Sequence, residues 1–422
     1  MRPFSSHELI RTFTSFLSDL EDRFERKRVW GPRSIFVALL LLTRPGAQSS
    51  YRKMLNTIVD DTSAFLGWAE TPSVASFSKA RRHLSVASCR ALLASVIEKI
   101  SACSPQRFRH PSGRRFIAFD GTQLLMPRVR QTMARFARPK ANSWLVSHYP
   151  QAVTLIAVDL YRRMPLDWLL LKKGVGEREG IVNMLGILKR GDVAVLDRGF
   201  PSRDLLQLFV QLGVDVVMRM RAGATTMNLV TDFLKTGKKS AVVPFDFKDG
   251  SIIKVRLVRR NFRVGRPRKG QKAQPMVVLT TLPKEQFSDD EIVKIYTARW
   301  GVETVIREIK NEFDIERFHA RSIEGIEQEI AAVMTWIALA SGLQQLAEHG
   351  QDPLLRVHRN LCFANAARML KQMLEGGDPW ENIEEILEKL RRFSSKIRPG
   401  RSFPRKRKAP TGRYKPSGAI LK

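Results

Sequence analysis

Cysteine is nearly absent from this chain. Cys89, Cys103 and Cys362 are the only three in 422 residues, and none stands in a C-x-x-C pair or near a histidine at zinc-finger spacing. That excludes a disulfide framework and a structural zinc site, and predicts reduced thiols with packing roles. Long apolar runs are lacking too. The longest, such as residues 35–42 (IFVALLLL) and 331–340 (AAVMTWIALA), are too short to span a bilayer and read as buried helices, so no membrane partner is expected. The opening MRPFSSHELIRTF has no charged start followed by a continuous apolar stretch, so no secretory signal is read and the expected location is cytoplasmic. Acidic residues are scarce, 41 against 72 Lys and Arg, which leaves a formal net charge of +31. A surface of that sign attracts polyanions, with nucleic acid favoured over an anionic membrane. A hydrophobic content of 43% still allows a substantial core and excludes a disordered basic protein.

Up to residue 110, apolar residues recur at three- and four-residue spacing with breaks at RPGAQ and ETPS, which predicts an all-helical domain over 1–110, whose basic residues make it the expected N-terminal DNA-binding domain. Within it SSYRKMLNTI and TPSVASFSKARRHLS read as two short helices, the second carrying Lys79, Arg81, Arg82 and His83. A helix-turn-helix entering a major groove and a basic helix facing solvent are both open readings. From residue 114 the texture alternates. RRFIAFDGT, QAVTLIAVDL and RMPLDWLLLK read as strands of an antiparallel meander; the helix GEREGIVNMLGILKRG, the strand DVAVLDRGF, the helix SRDLLQLFVQLG and the strand VDVVMRMR follow. The expected fold class is α/β, a mixed sheet flanked by helices, over 114–221 and 288–345.

Between those two pieces the Val- and Ile-rich segments SAVVPFDF, SIIKVRLVRR and PMVVLTTL predict a small antiparallel unit, a β-rich insertion domain at 222–287. Its loop NFRVGRPRKGQK carries Arg266, Arg268 and Lys269 in a GRPRK sequence similar to the core of an AT-hook, which lies in a narrow minor groove; a mobile basic loop touching phosphate is the other reading. More helices are expected over 346–393. The tail 394–422 contains no Asp or Glu and is rich in Arg, Lys, Pro and Gly, which predicts a segment disordered on its own.

The most informative pattern is IYTARWGVETVIREIK, read as part of one helix over 288–313. At about 100° per residue, Tyr296, Arg299, Glu303 and Lys310 fall within an arc of roughly 60°. One carboxylate ringed by cations and a phenol suits an acidic metal ligand among phosphate-holding groups, whereas an exposed helix usually pairs opposite charges at i,i+4. Arg307 shares the stripe and either joins those groups or pairs with Glu303 or Glu308, while Trp300 reads as core packing. Asp120 follows the first strand and Asp197 the fourth, where the strand ends of an open α/β sheet meet in one crevice. Taken singly, each Asp is a turn residue, since Asp before Gly or Arg-Gly commonly makes one. Asp159, Glu177 and Glu179 read as turn or helix-start residues, with a supporting role beside the acids as the lesser option.

IAFDGT, VAVLDRGF and YTARWGVETVIREIK, in that order and with SFSKARRHL ahead of them, resemble the segments of DDE transposases, in particular the insertion sequence four family with its Tyr-Arg-Glu-Lys signature. The resemblance implies a ribonuclease-H-like core in which Asp120, Asp197 and Glu303 are catalytic and hold two Mg²⁺ or Mn²⁺ ions. It assigns Tyr296, Arg299 and Lys310 to DNA phosphates; Arg307, from its place on the same face, and Arg198, in the Asp-Arg-Gly turn, are further phosphate-binding candidates. Oxygen donors suit hard cations, and in-line attack on a phosphodiester is served by two metals about 3.5–4 Å apart. The implied activity is cleavage at terminal repeats followed by transfer of the 3′ ends into target DNA. The implied partners are double-stranded DNA and a second copy of the chain in the synaptic complex. Some relatives cut the second strand through a hairpin, stacking a flipped base on an aromatic residue. No Trp lies between 198 and 299 here, which leaves Phe245, Phe247 or Phe262 for that task. A stand-alone nuclease or resolvase, and an inactive DNA-binding protein, are the alternative readings.

Overall fold

In a computed structural model of the chain, the structure describes residues 30–45, 50–56, 72–139, 145–221, 227–262, 274–349, 359–360, 383–392, 395–396 and 418–420. The helices in chain order are α1 (Pro32–Leu42), α2 (Val74–Ala80), α3 (Val86–Cys103), α4 (Arg130–Arg135), α5 (Glu177–Asn183), α6 (Arg203–Gln211), α7 (Asn228–Lys235), α8 (Asp289–Ala298), α9 (Trp300–Asn311), α10 (Ile323–His349) and α11 (Ile383–Arg392). The main strands are β1 (Phe116–Leu125), β3 (Gln151–Asp159), β4 (Met164–Leu171), β5 (Val193–Leu196), β6 (Asp215–Met220), β7 (Ser240–Asp246), β8 (Ile252–Phe262) and β9 (Gln274–Thr280); a short β2 (Leu145–Ser147) lies outside their sheet.

These eight strands form one sheet in the order β4-β3-β1-β5-β6-β9-β8-β7. β1 runs antiparallel to β3 and parallel to β5, β5 runs parallel to β6, and every remaining pair is antiparallel. The order of the first five strands, with the second antiparallel to its neighbours, is the ribonuclease-H-like arrangement. One difference from the sequence reading follows. The strands of the insertion do not stand apart as their own unit, because β9 pairs with β6 and extends the main sheet outward through β8 to β7. Alternation alone cannot distinguish a separate hairpin from one that adds to an existing edge.

Both faces of the sheet are covered, which explains why its central strands read as nearly continuous apolar runs. Phe116 and Ala118 of β1, with Val193 and Val195 of β5, pack into a core shared with α1, α3, α8, α9 and α10. Their alternates Ile117, Phe119, Ala194 and Leu196 pack on the other side with Ile181 of α5, Phe209 of α6 and Phe233 of α7. The period of two therefore decides which face each strand residue serves.

The long helix α10 is the axis of the first face. It is the one described helix long and apolar enough to cross a membrane, and that stretch is wholly buried inside the protein. Residues 35–42 and 331–340 both lie in buried helices, as their composition predicts. Trp336 Nε1 donates to the Leu40 carbonyl at 2.8 Å, tying α10 to α1. Cys89 is a buried free thiol, pushed up to about 12 by burial, as expected of a packing residue. The tail was expected to be disordered, yet among the described residues 418–420 pair with β2 and 395–396 pair with 359–360.

Arg81 is the clearest correction. Instead of facing DNA with Lys79, Arg82 and His83, it is 5% exposed and turned into the interior. Its guanidinium donates to Gln328 Oε1 (3.0 Å), the Tyr51 hydroxyl (2.9 Å), Glu329 Oε1 (3.2 Å) and the Gly325 carbonyl (3.0 Å). Glu329 also accepts the backbone N–H groups of His319 and Ala320, both at 2.9 Å. The pair fastens the N-terminal helices to α10, while Lys79, Arg82 and His83 remain exposed. Removing one partner of a buried pair leaves the other charge stranded. Arg81→Ala is therefore expected to lower the unfolding free energy by about 3–5 kcal/mol in urea titration, and the exposed Arg82→Ala to stay within about 0.5 kcal/mol of wild type.

Candidate active site

The site begins with a register. Phe116, Ile117 and Ala118 of β1 sit opposite Val193, Ala194 and Val195 of β5. Extending the same offset places Asp120 beside Asp197. Both belong to the alternate set that faces α8 and α9. β5 pairs Leu196 with Met218 of β6, so the next position in that row is Arg219. Asp120, Asp197 and Arg219 thus form one lateral row over three neighbouring strands.

Asp120 is not the turn residue that its following glycine suggested. β1 continues to Leu125, paired with β3 up to Leu125 opposite Gln151, while its pairing with β5 stops at Ala118. Asp120 therefore occupies a strand position whose neighbour on one side has ended, which opens space above its carboxylate. Asp197 does lie in a turn, closed by the Phe200 N–H donating to the Asp197 carbonyl at 3.0 Å.

The expected single helix is two, joined at Arg299. Ser288 caps the first through the Glu291 N–H at 3.2 Å, with Asp289, Asp290 and Glu291 in the opening turn, a favourable arrangement at a helix N-terminus. Arg299 keeps a helical backbone (φ −50°, ψ −31°), but the hydrogen bonds around it tighten: its N–H reaches the Tyr296 carbonyl and the Val302 N–H reaches its own carbonyl. Since the junction hardly departs from helical geometry, Tyr296, Arg299, Glu303 and Lys310 keep the shared stripe. It faces the row of Asp120, Asp197 and Arg219.

Two members of that stripe turn inward rather than towards a DNA surface. Tyr296 is 3% exposed and donates its hydroxyl to Asp197 Oδ1 at 2.8 Å. Arg299, also 3% exposed, stands between the acids, with Nη1 3.6 Å from Asp120 Oδ2 and Nη2 3.2 Å from Glu303 Oε1. Its buried Nε finds no acceptor among the described residues. Arg219 approaches Asp197 Oδ1 at 4.0 Å. Sequence reasoning missed Arg219, although the alternation of VDVVMRMR and the offset between strands contained the signal.

The two aspartates are driven apart electrostatically. Burial pushes Asp120 up to about 6, against the opposing effect of Arg299, and repulsion from Glu303 and Glu177 adds to the rise. Burial also works against charge on Asp197. There it is outweighed by the Arg198 N–H, the Tyr296 hydroxyl and the guanidinia of Arg299 and Arg219, which hold Asp197 below the usual carboxylate range. Asp120, Asp197 and Glu303 are oxygen donors from two strand ends and a facing helix, all attracted to one guanidinium. That donor set fits a hard divalent cation. With Arg299 lying among them, no group of three or more His, Cys, Asp or Glu among the described residues is gathered around a single ion position.

The remaining candidates divide by exposure. Lys310 donates to the Gln123 carbonyl at 2.5 Å and lies 4.0 Å from Glu316, and burial lowers its pKa. Arg307 is exposed, 3.5 Å from the Thr304 hydroxyl, and Arg198 is exposed on the turn after β5. Trp300 is 50% exposed, not core packing, so α9 presents an aromatic face one position from the stripe. Phe245 and Phe247 are buried in the sheet core, which removes them as bases' stacking partners; the side chain of Phe262, and Arg266, Arg268 and Lys269, lie outside the described residues. Asp159 is buried and holds Arg162 at 2.7 Å, a structural pair.

Among curated proteins no sequence matches this chain. A solved structure, the piggyBac transposase in a synaptic complex with hairpin DNA seen by cryo-electron microscopy, is similar at 13% identity and a TM-score of 0.42, over 94% of this chain and 85% of that one. The family model described as the transposase DDE domain matches residues 111–339. That match spans more than half of the chain and includes Asp120, Asp197 and Glu303, and the protein therefore belongs to the transposase DDE domain family.

Proposed function

We propose that this transposase serves an insertion sequence of the insertion sequence four group, cutting DNA at the element's terminal repeats and joining the freed 3′ ends to target DNA in a cut-and-paste reaction. The observation that carries the reading is the row of Asp120 and Asp197 on adjacent parallel strands, faced by Glu303. Its test is an assay of cleavage and strand joining with a labelled fragment that bears the element's own ends, a supercoiled target plasmid and Mg²⁺.

In this reading Asp120, Asp197 and Glu303 hold the divalent cations. Bound there, Mg²⁺ or Mn²⁺ would stabilise the attacking and leaving oxygens of an in-line displacement at phosphorus. Tyr296 donates its hydroxyl to Asp197 Oδ1 and so orients the carboxylate. Arg219, 4.0 Å from that same oxygen, adds to the Arg198 N–H, the Tyr296 hydroxyl and Arg299 in keeping Asp197 ionised. Arg299 neutralises Asp120 and Glu303 until the substrate and its cations arrive, then offers the scissile phosphate a buried guanidinium with an unused Nε. Lys310, Arg307 and Arg198 line the approach and take flanking phosphates. Trp300, half exposed beside them, presents an aromatic surface on which a displaced base would stack. Bringing two transposon ends together calls for a second copy of the chain.

Three outcomes are expected. Asp120→Asn, Asp197→Asn and Glu303→Gln each reduce cleavage and joining by about a thousandfold or more while leaving affinity for end DNA within a few-fold, the pattern for groups that act on the transition state. Cutting without joining would shift the assignment to a nuclease. At limiting Mg²⁺ the cleavage rate rises about tenfold per pH unit below pH 6 and flattens above it, because Asp120, with its pKa raised to about 6, carries a proton and loses its donor oxygen on the acid side. Arg307→Ala and Lys310→Ala each lessen the salt dependence of DNA binding, by about one unit in the slope of log affinity against log salt.

A further inference from the structure

We propose that Arg178 and Arg221 are positioning residues for this reaction: their guanidinia hold the two middle carbonyls of the Asp197–Phe200 turn and through it the carboxylate of Asp197. The inference rests on the reading of Asp197 as a cation-binding acid and adds two residues that act on it through the backbone.

Asp197 leaves β5 into a turn of four residues, Asp197, Arg198, Gly199 and Phe200, closed by the Phe200 N–H on the Asp197 carbonyl at 3.0 Å. Phe200 is buried and anchors the far end of the turn in the core with α6. Arg198 and Gly199, in the middle, are exposed. The closing bond leaves the carbonyls of both middle residues unused, and no backbone N–H among the described residues donates to either. Side chains take that place. Arg221 Nε donates to the Arg198 carbonyl at 3.1 Å, and Arg178 donates to the Gly199 carbonyl through Nη2 at 2.9 Å and Nε at 3.1 Å.

The two arginines arrive from different elements. Arg221 follows β6, which runs parallel to β5 and continues past the point where β5 turns. Arg219, on the same face of that strand, approaches Asp197 itself, so alternation carries one arginine to the acid and the next to its turn. Arg178 lies in the first turn of α5 between Glu177 and Glu179, makes no ion pair among the described residues, and reaches the Gly199 carbonyl 21 residues away. Hydrogen bonds from a charged donor are stronger than neutral ones, which suits them to fixing exposed backbone.

Glycine at the third position is the reason the turn needs holding. The type II form of a β-turn requires φ of about +80° there, which glycine adopts freely. Gly199 is outside that left-handed region, so the turn is kept in another form. Passing between the forms swings the peptide that joins Arg198 to Gly199, and Arg221 holds the oxygen of that peptide. The peptide on the other side of Arg198 supplies the N–H that supports the Asp197 carboxylate. Freedom in the middle of the turn is therefore freedom of a donor to Asp197, and a misplacement of about 1 Å at a reacting centre costs on the order of a hundredfold in rate.

The test is steady-state cleavage of end DNA by the full-length chain with Mg²⁺, together with hydrogen exchange of the Phe200 amide in the DNA-free protein. Arg178→Ala and Arg221→Ala, both at exposed positions, are each expected to lower kcat about tenfold with KM for DNA within about twofold of wild type, and to speed exchange of that amide. Adding Gly199→Ala is expected to bring kcat back to within about threefold of wild type and to slow the exchange again, because a methyl group there meets nothing within 4 Å in the present turn and disfavours the type II form. A raised KM with unchanged kcat would overturn the proposal and make the arginines phosphate contacts. Failure of Gly199→Ala to restore kcat, or exchange at the wild-type rate in both single variants, would overturn it as well. Wild-type protein that cuts no DNA would remove the reaction proposed above, and the exchange comparison alone would then decide whether the arginines hold the turn.

Discussion

Everything at the site depends on the parallel pairing of β1 with β5. Because the two strands run in the same direction with a fixed offset, both carry their acids to the same end of the sheet and the same face. A slip of one residue would send Asp197 to the opposite face, among the packed side chains of α6 and α7. The apolar residues just before the acids set that register. Phe116, Ala118, Val193 and Val195 fit one core, and Ile117, Phe119, Ala194 and Leu196 fit the other. The acids are the continuation of a pattern that burial enforces.

An acidic centre within a strongly basic protein divides the electrostatics into two scales. Over the whole surface, an excess of 72 basic over 41 acidic side chains draws the DNA backbone. Within the crevice, Arg299 serves as an internal counter-ion between Asp120 and Glu303. Its burial separates it from exposed cations such as Arg307, although both lie on one stripe of the sequence. A charge on that stripe therefore takes its role from what stands opposite, and opposite Arg299 stand three acids.

The N-terminal helices belong to the same body as the sheet. α1 and α3 pack on α10, and Arg81 with Glu329 forms a buried ionic contact at the seam. In a chain with so many arginines, composition cannot tell a DNA contact from an internal fastener. The difference lies in the partner, Glu329, which is 248 residues away.

The sequence by itself determined the order and kind of the main elements, since periods of two and 3.6 arise from local backbone geometry. It also singled out Asp120, Asp197 and Glu303, because an acid at a strand end and an acid ringed by cations are local anomalies in those periods. Short elements such as α4, β2 and α7 left no legible signal, because so few residues repeat a period too few times to stand out from a loop. Tertiary structure alone decided that the inserted strands extend the main sheet, that β1 runs on past Asp120, that Arg81 and Arg299 face inward while Trp300 faces out, and that Arg219 reaches Asp197. Each of these depends on pairing offsets or on close backbone approach between segments distant in the chain, and neither is encoded in the spacing of residues along a single element.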